Sequence, residues 1–109
     1  MSSILMFVAQ KGFRDEELFV PKAALERAGH KVMVASLNRA NAHGSKGGSI
    51  MPDISAHEAN PSFFDMVVVV GGPGTPTLSE SNDVISFLEK ANKWLQFVLL
   101  HQFWQMLVF

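Results

Sequence analysis

Two runs of the chain, Ile4-Leu-Met-Phe-Val-Ala9 and Met66-Val-Val-Val-Val70, are uninterrupted apolar residues, and Lys31-Val-Met-Val-Ala-Ser-Leu37 is nearly so. Such runs suit strands buried on both faces of a parallel sheet. Between the first two strands, Leu18, Leu25 and Ala28 recur at helical spacing and Gly29 follows as a cap, which predicts a helix over 14–28. Pro21 fits that helix only near its first turn or as a kink. Ser79 to Lys93 predicts a second helix, with Ser81 as N-cap, Val84, Ile85, Leu88 and Ala91 as its apolar stripe, and Lys90 and Lys93 at its C-terminal end. Strand, helix and strand within 37 residues make a right-handed βαβ unit. The expectation is therefore an α/β domain in which Ile4–Ala9, Lys31–Leu37 and Met66–Val70 are neighbouring parallel strands, with both helices packed on the sheet.

Gln10-Lys-Gly12 reads as a break after the first strand. Residues 38–62 are polar and rich in Gly, Ser, Asn and Pro, with a short strand pair expected around Ser49–Ile54. Gly71-Gly-Pro-Gly74 ends the third strand in a turn that calls for positive φ. Asp15 and Glu16 read as first-turn acids complementing the helix dipole, and His30 as a cap over the other end of that helix. His43 and His57 have no metal-ligand spacing, Gly44-Ser-Lys-Gly-Gly-Ser49 lacks the phosphate-loop pattern, and Met6, Met33 and Met66 read as core filler.

The chain has 109 residues and a net charge of −1, so it offers no nucleic-acid surface, and it has no cysteine. No thiol chemistry and no Cys-ligated metal can come from these residues. The first residues carry no basic leader pattern, so a cytoplasmic location is expected. Every charged residue lies within 1–93, while 94–109, WLQFVLLHQFWQMLVF, has none and holds both Trp. Sixteen residues interrupted by three Gln and a His fall short of the roughly 20 that a membrane span needs.

Three segments, Gly12-Phe-Arg-Asp-Glu-Glu-Leu18, Ala28-Gly-His-Lys-Val32 and Asp65-Met-Val-Val-Val-Val-Gly-Gly-Pro-Gly74, resemble in order and spacing the ThiJ/PfpI family of the glutamine-amidotransferase-like superfamily. The resemblance covers residues 3–93. It implies a flavodoxin-like, doubly wound, mainly parallel sheet, here incomplete at the C-terminus. It also implies a nucleophilic cysteine on a turn after the next strand, with a glutamate from the first helix beside it and backbone amides forming an oxyanion site. Matched by motif, Glu17 is that glutamate and the Gly72 N–H is one such amide. A carboxyl at the end of a buried strand can share a proton with a thiolate, and open α/β sheets bind ligands at the carboxyl ends of their strands.

At the cysteine's place this chain has the charge-free tail. Back-translation of Lys93–Phe109 admits codons whose one-base-shifted reading gives M-V-A-V-C-I-A-P-P-V-L-A-N-A-G-V, a strand, a cysteine turn and a small-residue helix start. The cysteine codon straddles Phe97 and Val98. The expectation is that 1–93 form the N-terminal part of a single ThiJ/PfpI domain, and that 94–109 are an out-of-frame tail on a truncated family member. Trp94–Leu100 should still fill the next strand, and the residues from His101 on should have no settled place. The resemblance implies an ancestral cysteine-dependent hydrolase, deglycase or glyoxalase acting on a small reactive aldehyde or a peptide, as a homo-oligomer, without cofactor or metal. The chain as written should be inactive. The shifted reading C-I-A-P lacks the histidine of the peptidase-like branch and so favours the aldehyde branch. The alternatives are an intracellular cysteine peptidase or a non-enzymatic oligomerisation or stress-binding domain.

Overall fold

Ile4 to Ala9 are all buried, as a strand covered on both faces requires. In the computed structural model, which describes residues 3–91 and 96–99, this segment supplies the central strand. The elements in chain order are β1 (Ser3–Phe7), β2 (Lys11–Phe13), α1 (Asp15–Arg27), β3 (Lys31–Ser36), β4 (Ala42–Gly44), β5 (Ser49–Ile50), β6 (Ile54–Ser55), β7 (Met66–Val69), α2 (Thr75–Ser79), α3 (Asn82–Ala91) and β8 (Gln96–Leu99). Short 3-10 turns at Ala56–Glu58 and Pro61–Phe63 lead from β6 to β7. The main sheet has the order β6-β3-β1-β7-β8, and every pairing in it is parallel. The three expected strands are thus parallel neighbours, with β1 between the other two.

Alternation along β1 divides the core in two. Leu5, Phe7 and Ala9 face one side with Val67 and Val69, against Leu78 of α2 and Val84, Phe87 and Leu88 of α3. Ile4, Met6 and Val8 face the other with Val68 and Val70, against Leu18 of α1 and the partly buried Leu25. Helices therefore cover both faces, the doubly wound arrangement that the strand and helix order implies. Phe87 is the aromatic centre of the first face, edge-on to Phe7 at 5.1 Å and tilted against Phe64 at 6.4 Å. Two aspartates extend the strand ladders. Asp65 donates its N–H to Ser3 O and accepts the Ser3 N–H on its carboxylate, at 2.7 and 2.8 Å. Asp53 makes the same pair of bonds with Val34, both 2.8 Å.

Several expectations need correction. The first strand does end before Gln10–Gly12, but Lys11–Phe13 are themselves a strand, β2, with Gly12 at φ +80° in its middle, and it pairs with β4 and, through β4, with β5 in a second, small sheet. Ser49–Ile50 and Ile54–Ser55 are both strands, but they do not pair with each other. The first runs antiparallel to β4 and the second parallel to β3, in a different sheet. Pro21 stands inside α1 rather than in its first turn, so the bond that would end on the Glu17 carbonyl is missing. The helix expected over 79–93 is α3, and Ser81 is its N-cap as expected, its Oγ accepting the Val84 N–H at 3.3 Å, but Ser79 ends the short α2, which the pattern does not predict. Of the strand expected over 94–100, Gln96–Leu99 pair in parallel with Met66–Val69. The expected absence of a settled place from His101 on falls outside the described residues. Among the described residues no helix is long and apolar enough to cross a membrane.

Phe87→Ala removes a ring that bridges β1 and the turn before β7. The expected cost is about 3–5 kcal/mol, read as a lower urea midpoint with an unchanged m value.

Candidate functional site

β7 ends at Val69, and just beyond it both backbone groups of Gly71 are taken by the start of α1. Its carbonyl accepts the Arg14 N–H at 2.8 Å, and its N–H donates to Glu17 Oε1 at 3.2 Å. Glu17 lies in the first turn of α1, where three acidic residues in a row complement the partial positive charge of the free amides. Its side chain is 18% exposed, and Arg14 Nε stands 3.1 Å from Oε2. The Arg14 Nε–H is close enough for an ion pair but is not aimed at the carboxylate, and it is buried without a hydrogen-bond partner. The attraction is Coulombic and partly screened, since the guanidinium side chain is one-third exposed.

Gly72 follows at φ +134° and is buried. A Cβ there would lie 2.6 Å from Arg14 N and from Gly12 O, and 2.9 Å from Phe13 C. No L side chain fits, for reasons of conformation and of space together. Among the described residues nothing accepts the Gly72 N–H. Gly74 closes the turn by donating its N–H to Gly12 O at 2.9 Å. The structure thus brings Glu17, Gly71 and Gly72 together at the carboxyl ends of the parallel strands.

Sequence reasoning missed two parts of this site. The sequence pattern marks Gly12 only as a break, and its carbonyl also anchors the Gly71–Gly74 turn. Asp15 was read as a dipole complement, yet its carboxylate accepts the Lys46 N–H at 3.0 Å and the Gly48 N–H at 2.7 Å. Those two bonds, the Lys46 amide's first, hold the Asp15 carboxyl below the usual aspartate value against the opposing effect of burial. The clasp therefore stabilises the fold at neutral pH and is lost as pH falls through that lowered value. The Gly44–Ser49 loop is accordingly a turn clasped by the Asp15 carboxylate. An acidic first turn together with a Gly-rich turn offering free amides was the available signal.

The remaining candidates stand apart from this site. His43 is exposed on β4, while His57 Nδ1 lies 3.3 Å from Asp83 Oδ1 on the surface. The His30 N–H donates to Leu25 O at 3.1 Å, so its backbone caps α1. Met6, Met33 and Met66 lie in strands and pack in or against the two cores. Among the described residues no group of three or more His, Cys, Asp or Glu could hold a metal ion. A crevice of about 490 Å³ lined by Lys31, Met33, Ile54, Glu58, Phe63 and Phe64 opens between β3 and the 3-10 turns. It is away from Glu17 and Gly72, and its size alone does not make it the site of chemistry.

The sequence pattern of the DJ-1/PfpI family matches residues 2–97. An uncharacterized protein of Methanocaldococcus jannaschii is 39% identical over 74 residues, which are 68% of this chain and 36% of that protein. Deglycase PfpI of Pyrococcus furiosus is 35% identical over 68 residues, which are 62% of this chain and 41% of the deglycase. The chain thus spans well under half the length of these two relatives. Among solved structures, Drosophila melanogaster DJ-1beta superposes with a TM-score of 0.87 at 30% identity, over 97% of this chain and 59% of that one.

The packing around Gly72 yields a comparison that stability measurements can check. Gly47 also has positive φ, +93°, but a Cβ there meets nothing within 4 Å. Gly47→Ala should cost about 1 kcal/mol, the conformational term alone. Gly72→Ala should cost at least about twice that, because three backbone atoms must also move. Denaturant midpoints of the two variants measure the difference.

Proposed function

Because the chain belongs to the DJ-1/PfpI family, we propose that Glu17 and Gly72 are two of the three parts of a thiol-dependent site that acts on small reactive aldehydes. The observation that carries this reading is the Glu17 carboxylate seated on the Gly71 N–H beside Gly72, whose own N–H has no acceptor among the described residues. In this reading a thiolate attacks the aldehyde carbon, so a C–S bond forms as the C=O π bond opens. Glu17 takes the thiol proton and passes it to the new alkoxide, while the Gly72 N–H stabilises the charge that develops on that oxygen.

The third part is the thiol, and the chain has no cysteine. The codon boundary at which the shifted frame places one falls between Phe97 and Val98, in β8, opposite Val67 and Val68 of β7. We take 94–109 as an out-of-frame segment on a domain that the first 93 residues begin, and the chain as written as inactive. The name deglycase, borne by the Pyrococcus relative, supports carbonyl chemistry. The absence of a histidine after the shifted-frame cysteine weighs against the peptidase branch. A cytoplasmic location and a homo-oligomeric intact protein complete the proposal.

The test is to resequence the gene across codons 92–95 and to compare the chain as written with one in which the C-I-A-P frame is restored. Methylglyoxal turnover should be absent from the first and present in the second. Glu17→Ala in the restored chain should lower kcat at least about 100-fold, the usual contribution of a positioned acid–base group. A restored chain that cleaves peptides and ignores aldehydes would overturn the choice of substrate.

A further inference from the structure

Glu17 and Gly72 are held by backbone that is itself clamped from outside. The segment 10–14 lies between the Gly71–Gly74 turn on one side and the β4–β5 hairpin on the other. Toward the site, Gly12 O accepts the Gly74 N–H, the Arg14 N–H reaches Gly71 O, and Gly72 packs without room for a Cβ against Gly12, Phe13 and Arg14. Toward the hairpin, Gln10 O accepts the His43 N–H at 2.9 Å and Phe13 O accepts the Ser45 N–H at 2.9 Å. One side chain closes the hairpin's tip onto α1. The Asp15 carboxylate takes the Lys46 and Gly48 amides, and it stands so close that a Cβ on Gly48 would lie 2.5 Å from Asp15 Oδ2. A Cβ on Gly44 would likewise strike that carboxylate. Lys46 Nζ also reaches Glu16 Oε2 at 3.5 Å, but both side chains are exposed and that pair adds little.

We infer that Asp15 is a positioning residue for the candidate site, fixing the Gly71–Gly74 turn through the hairpin and the 10–14 segment without touching substrate. The inference rests on the reading of Glu17 and Gly72 given above, but its structural half is independent of any activity. Hydrogen bonds from two amides to one carboxylate are charge-assisted, and they tie residues 31 and 33 positions apart. Loss of the carboxylate leaves the hairpin tip without its anchor on α1. The turn carrying Gly72 then has β2 on one side, and the hairpin behind β2 is held to it by the His43 and Ser45 backbone bonds without the clasp at its tip.

Amide hydrogen exchange of the full chain, read by NMR, tests this. Asp15→Asn keeps the shape but replaces one acceptor oxygen with a donor. The Lys46 and Gly48 amides should exchange about tenfold faster or more, and so should the Gly71 and Gly74 amides, while the Val34 and Asp53 amides keep their rates. If Lys46 and Gly48 change and Gly71 and Gly74 do not, Asp15 serves the hairpin alone and the inference fails. It fails also if Val34 and Asp53 accelerate equally, since the effect is then on global stability. Should Asp15→Asn not fold, Gly48→Ala pushes on the same carboxylate from the hairpin side and must give the same pattern. In the frame-restored chain, Asp15→Asn should lower kcat about tenfold with KM unchanged, the mark of an interaction felt only in the transition state. A restored chain with no turnover would refute the reading of Glu17 and Gly72 and leave the exchange result standing.

Discussion

The peptide unit at Gly71 joins the sheet to the helix that carries the candidate acid–base group. Its carbonyl receives the Arg14 N–H and its N–H reaches Glu17, so the end of β7 and the first turn of α1 are bound on both sides of one residue. The amides of a helix's first turn have no partner within the helix and would otherwise be left to solvent or to a cap. Here Arg14 provides no side-chain cap, and the strand end takes over part of that role. The carboxylate of Glu17 is thereby placed by a backbone donor, which cannot swing away as a side chain could. The same bonds hold the next residue, Gly72, against β2 and at a φ open only to glycine.

How far this was legible depended on the length of the signal. β1, β3 and β7 announce themselves because four to six consecutive apolar residues have few solutions other than a strand buried on both faces, and the helices show as apolar spacing between them. β2, β4, β5 and β6 have two or three residues each, too few for period-two alternation to be seen, and they contain Lys11, His43 and Ser49. Their pairing is a tertiary fact. Ser49–Ile50 and Ile54–Ser55 are close in sequence and even look alike, yet they enter different sheets because Asp53 completes the ladder of β3 while Gly44 and Gly48 close a hairpin. Sequence alone could not choose between those partners.

The site shows the same division. Glu17 and Gly72 are candidates on the motif, with glycine spacing and helix position as physical support. Asp15 does not stand out in the sequence, because an acid in a helix's first turn already has a sufficient explanation in the dipole. Only the fold brings the 44–48 turn, some 30 residues away, to that carboxylate. The glycines of the turn then acquire a reason that their flexibility did not supply. Gly44 and Gly48 are small because the Asp15 carboxylate occupies the space a side chain would need.

The eighth strand shows how differently a sheet and an active site constrain a sequence. Gln96–Leu99 pair in full register with Met66–Val69, in a chain without cysteine. A parallel sheet asks of its next strand only a run of backbone donors and acceptors and side chains that tolerate burial, and burial contributes about 25 cal/mol per Å² of apolar surface whatever its order. Many sequences satisfy that. A nucleophile needs one residue type at one turn, facing one carboxylate and one amide. The demands of the sheet are therefore met more easily than those of a reaction, and the likeness of this chain's fold to its relatives carries no information about activity.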